Sequence, residues 1–444
     1  MRRWIIILLA ALAVIAGWYL IADLYPKYSA RYPWFLVLIG ADIYLFIRVR
    51  RSMPEKGVFT KTLLIILWWL PAFLLLMLLA VSAFKPYYLW PKPIKVYLPG
   101  VIFVGFAFKL LPLVLFLISD IIRAIRSTLS GRKEKNRKEA TAEGLSRRKF
   151  LRNSGLLLGS LMAGGLIYGM TNIYRFRVHR QKIRFPDLPR PFSGLRIVQI
   201  SDMHLGSWIS GSHLEEAVEI INSLNPDLFF FTGDLVDYST DEAYPFEPIL
   251  RKIKARYGKF AVLGNHDYGD YRKWESEKAK RRNMREMIAL NRRLGWKLLM
   301  NDHANIRRGA EEITIVGVEN WGAVSRFPRY GSLEKALTGA RDNGFRILLS
   351  HDPSHWSAKV VDFPSRFDLT LSGHTHGFQM GIDIPGFRWS PAQYVYAHWA
   401  GLYEKRKEQN DAPYYLYVNR GIGSIGYPGR LGIDPEITLI ELIH

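Results

Sequence analysis

The chain has 444 residues, no cysteine, and 61 Lys plus Arg against 39 Asp plus Glu, a formal net charge of +22. Without cysteine there can be no disulfide, thiolate metal site or cysteine nucleophile, so any bound metal must accept oxygen and imidazole ligands. Mean hydropathy is near zero, but it averages an apolar N-terminal third with a polar remainder and does not describe one soluble domain.

In chain order, Trp4–Ala22 and Thr62–Phe84 are apolar runs long enough to cross a bilayer. Between them, Pro33–Val49 is shorter and interrupted by Asp42. Val96–Ile122 carries Lys109 and Pro112 inside it and reads as a tilted or kinked span. Gly155–Ile173 is a fifth apolar segment, rich in small residues. This predicts residues 1–122 as a membrane domain of about four helices, 123–152 as a basic cytoplasmic linker, 153–174 as a fifth span or signal anchor, and 175–444 as a catalytic domain.

The loop charges give an orientation. Arg2 and Arg3, the segment Arg48–Lys61, and the stretch Arg123–Arg152 with Arg132, Lys133, Lys135, Arg137 and Lys138 are cation-rich and read as cytoplasmic. Five crossings then place the last domain outside the cytoplasm, on a bacterial inner membrane. Ser146-Arg147-Arg148-Lys149-Phe150-Leu151 before the fifth apolar run resembles a twin-arginine export signal, which fits that placement.

Beyond residue 185, LRIVQIS (195–201), DLFFFTG (227–233), KFAVLG (259–264), FRILLS (345–350) and FDLTLSG (367–373) are short, nearly continuous apolar runs. Such runs are typical of strands buried on both faces. Each ends in a polar motif: Asp202-Met203-His204, Gly233-Asp234 with Asp237, Gly264-Asn265-His266-Asp267, His351, and Gly373-His374-Thr375-His376. In layered α/β folds, ligands sit on loops leaving the carboxyl ends of the strands, so these distant motifs can converge. Carboxylates, imidazoles and one amide carbonyl make a ligand set for two divalent cations sharing a carboxylate. Manganese, iron and zinc all qualify.

In these five ordered blocks the sequence resembles the calcineurin-like metallophosphoesterase superfamily, over roughly Phe185 to the C-terminus. The resemblance implies an α/β domain with a four-layer αββα sandwich, preceded here by the all-α multi-span membrane region. It implies one metal held by Asp202, His204, Asp234 and His376, and a second by Asp234, Asn265, His351 and His374, with Asp234 bridging. A hydroxide between the ions would attack phosphorus directly. His266 would contact the phosphate and protonate the leaving oxygen, with Asp267 orienting it. Related enzymes often carry a second glycine and a glutamine after this last motif, whereas here Gly377 is followed by Phe378 and then Gln379.

The tail from Tyr415 resembles the membrane-associated bacterial branch of that superfamily, which includes UDP-2,3-diacylglucosamine hydrolase-like enzymes and exported envelope phosphoesterases. The expected partners are therefore a lipid bilayer and a phosphorylated small-molecule or lipid-linked substrate. The aromatic segment Phe378–Tyr403 either walls the site or packs as an ordinary hairpin. The basic run Arg272–Arg293 reads as a solvated helix face or a contact for anionic lipid, and the reading disfavours nucleic acid. A UDP-2,3-diacylglucosamine pyrophosphate hydrolase and a non-catalytic membrane receptor stand as alternatives to a general phosphoesterase. His213, His303, His355 and His398 fit no motif and are expected at the surface or in packing.

Overall fold

Apolar runs of membrane length fold as helices and the shorter ones as strands. The computed structural model describes residues 12, 14–23, 30, 32–50, 57–129, 142–341, 344–407 and 412–444. These fall in two compact units, Met1–Ile167 and Tyr168–His444.

The first unit contains helices α1 (Tyr32–Arg50), α2 (Val58–Phe84), α3 (Lys92–Leu129) and most of α4 (Ala142–Thr171). Each holds a stretch long and apolar enough to cross a membrane; in α3 it is Lys92–Ile125 and in α4 Phe150–Thr171. Of the run expected first, Trp4–Ala22, residues 4–11 and 13 lie outside the described ones; within the described part, Val14–Asp23 forms a shorter apolar helix. Of the basic linker expected at 123–152, residues 130–141 lie outside the described ones, and its two ends are helical, in α3 and α4.

Two charges that interrupt the apolar pattern explain each other. Lys109 Nζ donates to Asp42 Oδ2 and to the Trp68 carbonyl, each at 2.7 Å, and both ionic groups are buried. A second tie links the same two helices, where Tyr44 OH and Arg48 both donate to Asp120. An intramembrane charge is tolerated when it meets its counter-ion inside the bundle.

The second unit has two six-stranded sheets. The first has the order β1-β14-β2-β3-β4-β5: Arg177–Arg184, Glu436–Ile443, Leu195–Ile200, Leu228–Phe231, Gly258–Ala261 and Lys297–Leu298. The second has the order β12-β13-β9-β8-β7-β6: Gly401–Lys405, Tyr414–Val418, Leu369–Ser372, Arg346–Leu349, Glu311–Gly317 and Asp302–Arg308. β2, β3 and β4 pair in parallel, as do β7, β8, β9 and β13. The five apolar runs are therefore strands, each within a few residues of the expected bounds.

Alternation along these strands builds three apolar layers. Ile197, Leu228, Phe230 and Val262 from the first sheet meet Ile315, Ile347, Leu349 and Leu371 from the second. On the outer face of the first sheet, Val198, Phe229 and Phe231 pack against Leu214 and Ile221 of helix α5 (Ser212–Ser223) and Met287 and Leu290 of helix α6 (Glu277–Arg293). On the outer face of the second, Val316, Leu348 and Leu416 pack against Leu333 of helix α7 (Leu333–Ala336) and against Trp356. The expected αββα order is present. α6 turns Arg281, Arg282, Arg285 and Arg292 to solvent, as a solvated basic face requires.

Candidate metal centre

The loops leaving β2, β3, β4, β8 and β9 carry the five motifs, and the parallel pairing puts those exits together. Two glycines are required by close approach. A Cβ on Gly264 would strike the Asp234 carboxylate, and one on Gly373 would strike Ser201 and Asp202. The ligand-bearing backbone is also unusual. Asp202, His204, Asp234, His374 and His376 all have positive φ, from 49° to 73°. For L-residues this costs roughly 1–2 kcal/mol each, so the surrounding structure must impose it.

Asp267 imposes part of it. Its carboxylate accepts from the backbone N–H groups of Asp234 and Gly264 at 2.9 Å and of Leu235 at 2.8 Å. Asp267, expected to orient His266, thus clamps the turn that carries Asp234. His266 is held by its Nδ1, 2.8 Å from the Asp237 carbonyl, and by stacking on Tyr271 at 4.2 Å between ring centres. Burial and the Asp234 charge push the Asp267 carboxyl up to about 7, against the pull of its backbone N–H donors.

The remaining expected ligands form two groups, Asp202, His204 and His376, and Asp234, His351 and His374. Within each group the ligand atoms lie within 4.8 Å of one another. His204 Nε2 is 3.1 Å from His376 Nε2 and 3.7 Å from Asp234 Oδ2, and His351 Nε2 is 3.2 Å from both Asp234 Oδ2 and His374 Nδ1. Asp234 therefore reaches both groups. Three of the other ring nitrogens are engaged elsewhere: His204 Nδ1 with Asp237 Oδ1 at 2.8 Å, His351 Nδ1 with the Thr232 carbonyl at 2.7 Å, and His374 Nε2 with Tyr396 OH at 2.9 Å, whereas His376 Nδ1 is buried without a hydrogen-bond partner. Such outer partners fix which nitrogen faces a metal.

A metal fits this set on one further observation. Asn265 Nδ2 donates to Tyr271 OH at 2.8 Å, but its buried Oδ1 has no hydrogen-bond partner. An orphaned buried carbonyl oxygen is costly unless a cation or donor meets it. The electrostatics agree. Burial alone would lower His204 and His351, yet Asp237 raises the first to about 9 and Asp234 raises the second to about 10. Burial opposes ionisation of Asp202 and Asp234, yet His376 and His351 hold both carboxyls well below the usual range. The carboxylates are poised to keep positive charge beside them.

Sequence reasoning missed Asp352, whose Oδ2 lies 3.5 Å from His374 Nε2, and Tyr271. It left the Phe378–Tyr403 segment between two readings, and the structure divides it: Tyr396 and Trp399 are buried, whereas Phe378 and Tyr394 are exposed. Gln379 has a role of its own. His376, Gly377, Phe378 and Gln379 run consecutively at φ 51–58°. The Gln379 amide anchors that turn, donating to Tyr427 O at 2.5 Å and Gly429 O at 3.0 Å and accepting from Ile425 N at 2.7 Å. The four unassigned histidines stay outside the centre. Of these, His355 bonds Ser350 and stacks on Trp321, and His213 stacks on Tyr174.

Buried carboxylates and imidazoles gathered at the joint edge of two sheets, in a chain with membrane-length helices, define a membrane-associated metal-dependent hydrolase. Residues 195–378 match the family described as "Calcineurin-like phosphoesterase", and residues 28–172 match "Probable Calcineurin-like phosphoesterase, transmembrane domain". The chain is 31% identical over 308 residues to the uncharacterized metallophosphoesterase YkuE of Bacillus subtilis, covering 67% of this chain and 98% of that protein. It is 31% identical over 319 residues to a transmembrane protein with metallophosphoesterase domain of Danio rerio, covering 70% of this chain and 66% of that one. It is 29% identical over 304 residues to the UDP-2,3-diacylglucosamine pyrophosphatase LpxG of Chlamydia trachomatis, covering 58% and 87%. The chain belongs to the calcineurin-like phosphoesterase family, hydrolases of phosphoester bonds that use divalent metals.

Proposed function

We propose that this protein hydrolyses a phosphodiester, pyrophosphate or phosphomonoester bond of an envelope or lipid-linked substrate, with two divalent cations held by the two residue groups that share Asp234. The observation that carries this reading is Asp234 reaching both groups, with the orphaned Asn265 oxygen beside it. Asp202, His204, Asp234 and His376 would hold one cation, and Asp234, Asn265, His351 and His374 the other. Such a pair acidifies water and offsets charge developing on phosphoryl oxygens.

The chain's own residues supply the rest. His266 donates its Nδ1 hydrogen to the Asp237 carbonyl, which leaves Nε2 to carry the proton given to the leaving oxygen. Burial lowers the His266 pKa, so its imidazolium is a stronger acid than that of a free histidine, while a smaller share of rings carries the Nε2 proton near neutral pH. Asp267 keeps Asp234 in place by clamping its turn.

A UDP-2,3-diacylglucosamine-type pyrophosphate is the second reading, supported by the similarity to LpxG. A receptor without catalysis is disfavoured because every expected ligand residue is present. We place the catalytic domain, residues 175–444, outside the cytoplasm of a bacterial inner membrane, beyond membrane segments at 1–122 and 153–174 and the linker 123–152. The support is the loop charge pattern with five crossings and the Arg147-Arg148 motif. Protease access in spheroplasts checks the sidedness, and Arg147→Lys with Arg148→Lys checks the export route. Hydrolysis of a panel of phosphodiester, phosphomonoester and UDP-lipid by the purified chain with Mn²⁺ tests the main reading. No turnover on any member would sink it.

A further inference from the structure

Beside the metal ligands lies a hairpin whose polarity is inverted. Strands β10 (Ile382–Ile384) and β11 (Phe387–Trp389) pair with Ile382 opposite Trp389, Asp383 opposite Arg388, and Ile384 opposite Phe387. Directly opposed residues share a face, and neighbours along a strand alternate. One face therefore carries Ile382, Ile384, Phe387 and Trp389, and the other Asp383 and Arg388.

The charged face is the one tied to the protein, although Arg388 itself stays partly in solvent. Arg388 Nη1 donates to the Ala400 carbonyl at 2.8 Å, and Asp383 Oδ2 accepts from the buried Arg420 at 2.6 Å. The apolar face is left outside, with Ile382 43%, Ile384 57% and Phe387 53% exposed. Tyr394, within reach of Trp389, is 76% exposed, and Phe378 and Val395, close in sequence on either side, are 49% and 52% exposed. A hairpin meant for water would show the reverse pattern.

Its place in the unit says what covers it. The last turn of α4, Tyr168–Thr171, closes a helix of membrane length and belongs to this same unit. Arg430 N donates to Gly169 O of that turn at 2.9 Å. The next residue, Leu431, accepts from Gly381 N at 2.9 Å and donates to Gln379 O at 2.9 Å, so it holds the base of the hairpin. One short segment thus fastens the base of the hairpin to Tyr168–Thr171, the closing turn of a helix of membrane length. Arg175 and Arg180, exposed just past the helix, suit headgroup phosphates.

We propose that this apolar face docks onto the bilayer, seating Ile384 and Phe387 at the boundary between headgroups and acyl chains. His374 and His376 are then held over the lipid, so a lipid-linked phosphoester reaches them without leaving the membrane. This rests on the reading above for the substrate, but the docking itself can be read without turnover.

The chain has no cysteine, so Phe387→Cys and Tyr394→Cys each give a single labelling site in the full-length protein. Each is labelled with bimane and reconstituted into liposomes of phosphatidylethanolamine and phosphatidylglycerol, with Lys335→Cys on α7 as the comparison. Docking predicts blue-shifted emission at Phe387→Cys and Tyr394→Cys and its loss on including brominated lipid, with no change at the comparison site. Emission insensitive to bromolipid at both sites overturns the proposal. So does a Phe387→Cys chain that joins into a disulfide-linked dimer, which would mean a second copy covers the face. In a separate arm, Ile384→Asp with Phe387→Asp should depress hydrolysis of a bilayer-embedded phosphodiester and spare bis-p-nitrophenyl phosphate. Equal rates on the embedded substrate before and after the change refute docking. Absence of hydrolysis in the parent protein refutes the substrate reading and leaves the quenching result to decide docking.

Discussion

Asp237 Oδ1 lies 2.8 Å from His204 Nδ1, and this contact turns His204 Nε2 toward His376 and Asp234. Ser207 donates to the other Asp237 oxygen at 2.9 Å, so the carboxylate is itself fixed. The sequence leaves Asp237 between support of the metal site and a helix-start carboxylate; in the fold it is the group that aims a ligand.

Asp237→Ala should therefore weaken metal binding by ~10–100-fold, the usual effect of removing such an outer partner. Asp237→Asn should lose less, because its amide oxygen can still accept from Nδ1–H. Titration of metal-stripped protein with Mn²⁺ measures both, and unchanged affinity in the alanine variant would refute the aiming role.

His266→Ala should keep the metal content of the parent while turnover falls by ~10²–10⁴. Elemental analysis beside a rate measurement separates the two. Loss of metal would show His266 to be a ligand.

Metal binding should expel protons. In the metal-free site His204 is raised to about 9 and His351 to about 10, so both are protonated at neutral pH and must lose that proton to ligate. Affinity should accordingly rise as pH goes from 7 toward 10. Calorimetric titration in buffers of different ionisation heat counts the protons, and a count of zero contradicts the charge balance described here.

Glu436 should carry part of the acid stability. It is buried, which opposes ionisation, but Arg420 and hydrogen bonds from Thr438 and Tyr417 bring its carboxyl down to about 2 from 4.5. A depressed folded value stabilises above the unfolded pKa, and that contribution, on the order of 3 kcal/mol, disappears as pH falls from about 4.5 toward 2. Glu436→Gln removes one of the two carboxylates paired with the buried Arg420, leaving Asp383 as the other, and should cost about 1.5–3 kcal/mol near neutral pH. Its acid transition should also flatten over that window. Tryptophan fluorescence against pH checks both statements.

Lys109→Met should destabilise the membrane unit by about 3–5 kcal/mol, because Asp42 is then buried without a counter-ion. Adding Asp42→Leu should recover most of the loss. Thermal stability in detergent, followed by size-exclusion fluorescence, decides it; a single variant as stable as the parent would show the pair contributes nothing.

Much of the fold was legible because each signal is local. The five buried strands announce themselves as unbroken apolar runs, and β2, β3, β4, β8 and β9 lie where those runs are. The edge strands β1, β6 and β12 show mixed burial and no such run. The hairpin β10–β11 reads as an ordinary amphipathic pair, and no alternation pattern says which face meets protein. Adjacency suggests that Asp267 pairs with His266, and no sequence signal shows that the turn also points its carboxylate at backbone N–H groups of another loop.

The sequence by itself determined the chemistry, since the ligand types, their order at strand ends and the absence of cysteine are properties of the chain. It also set the membrane character, because length and hydropathy suffice for that. The tertiary structure decided everything that depends on partners distant along the chain. It paired Asp42 with Lys109, brought Asp234 within reach of two histidine groups, gave the His266 nitrogen to the Asp237 carbonyl and turned an apolar face outward beside the site. Those relations span tens to hundreds of residues, and an ion pair or a hydrogen bond leaves no trace in either segment until folding closes the gap between them.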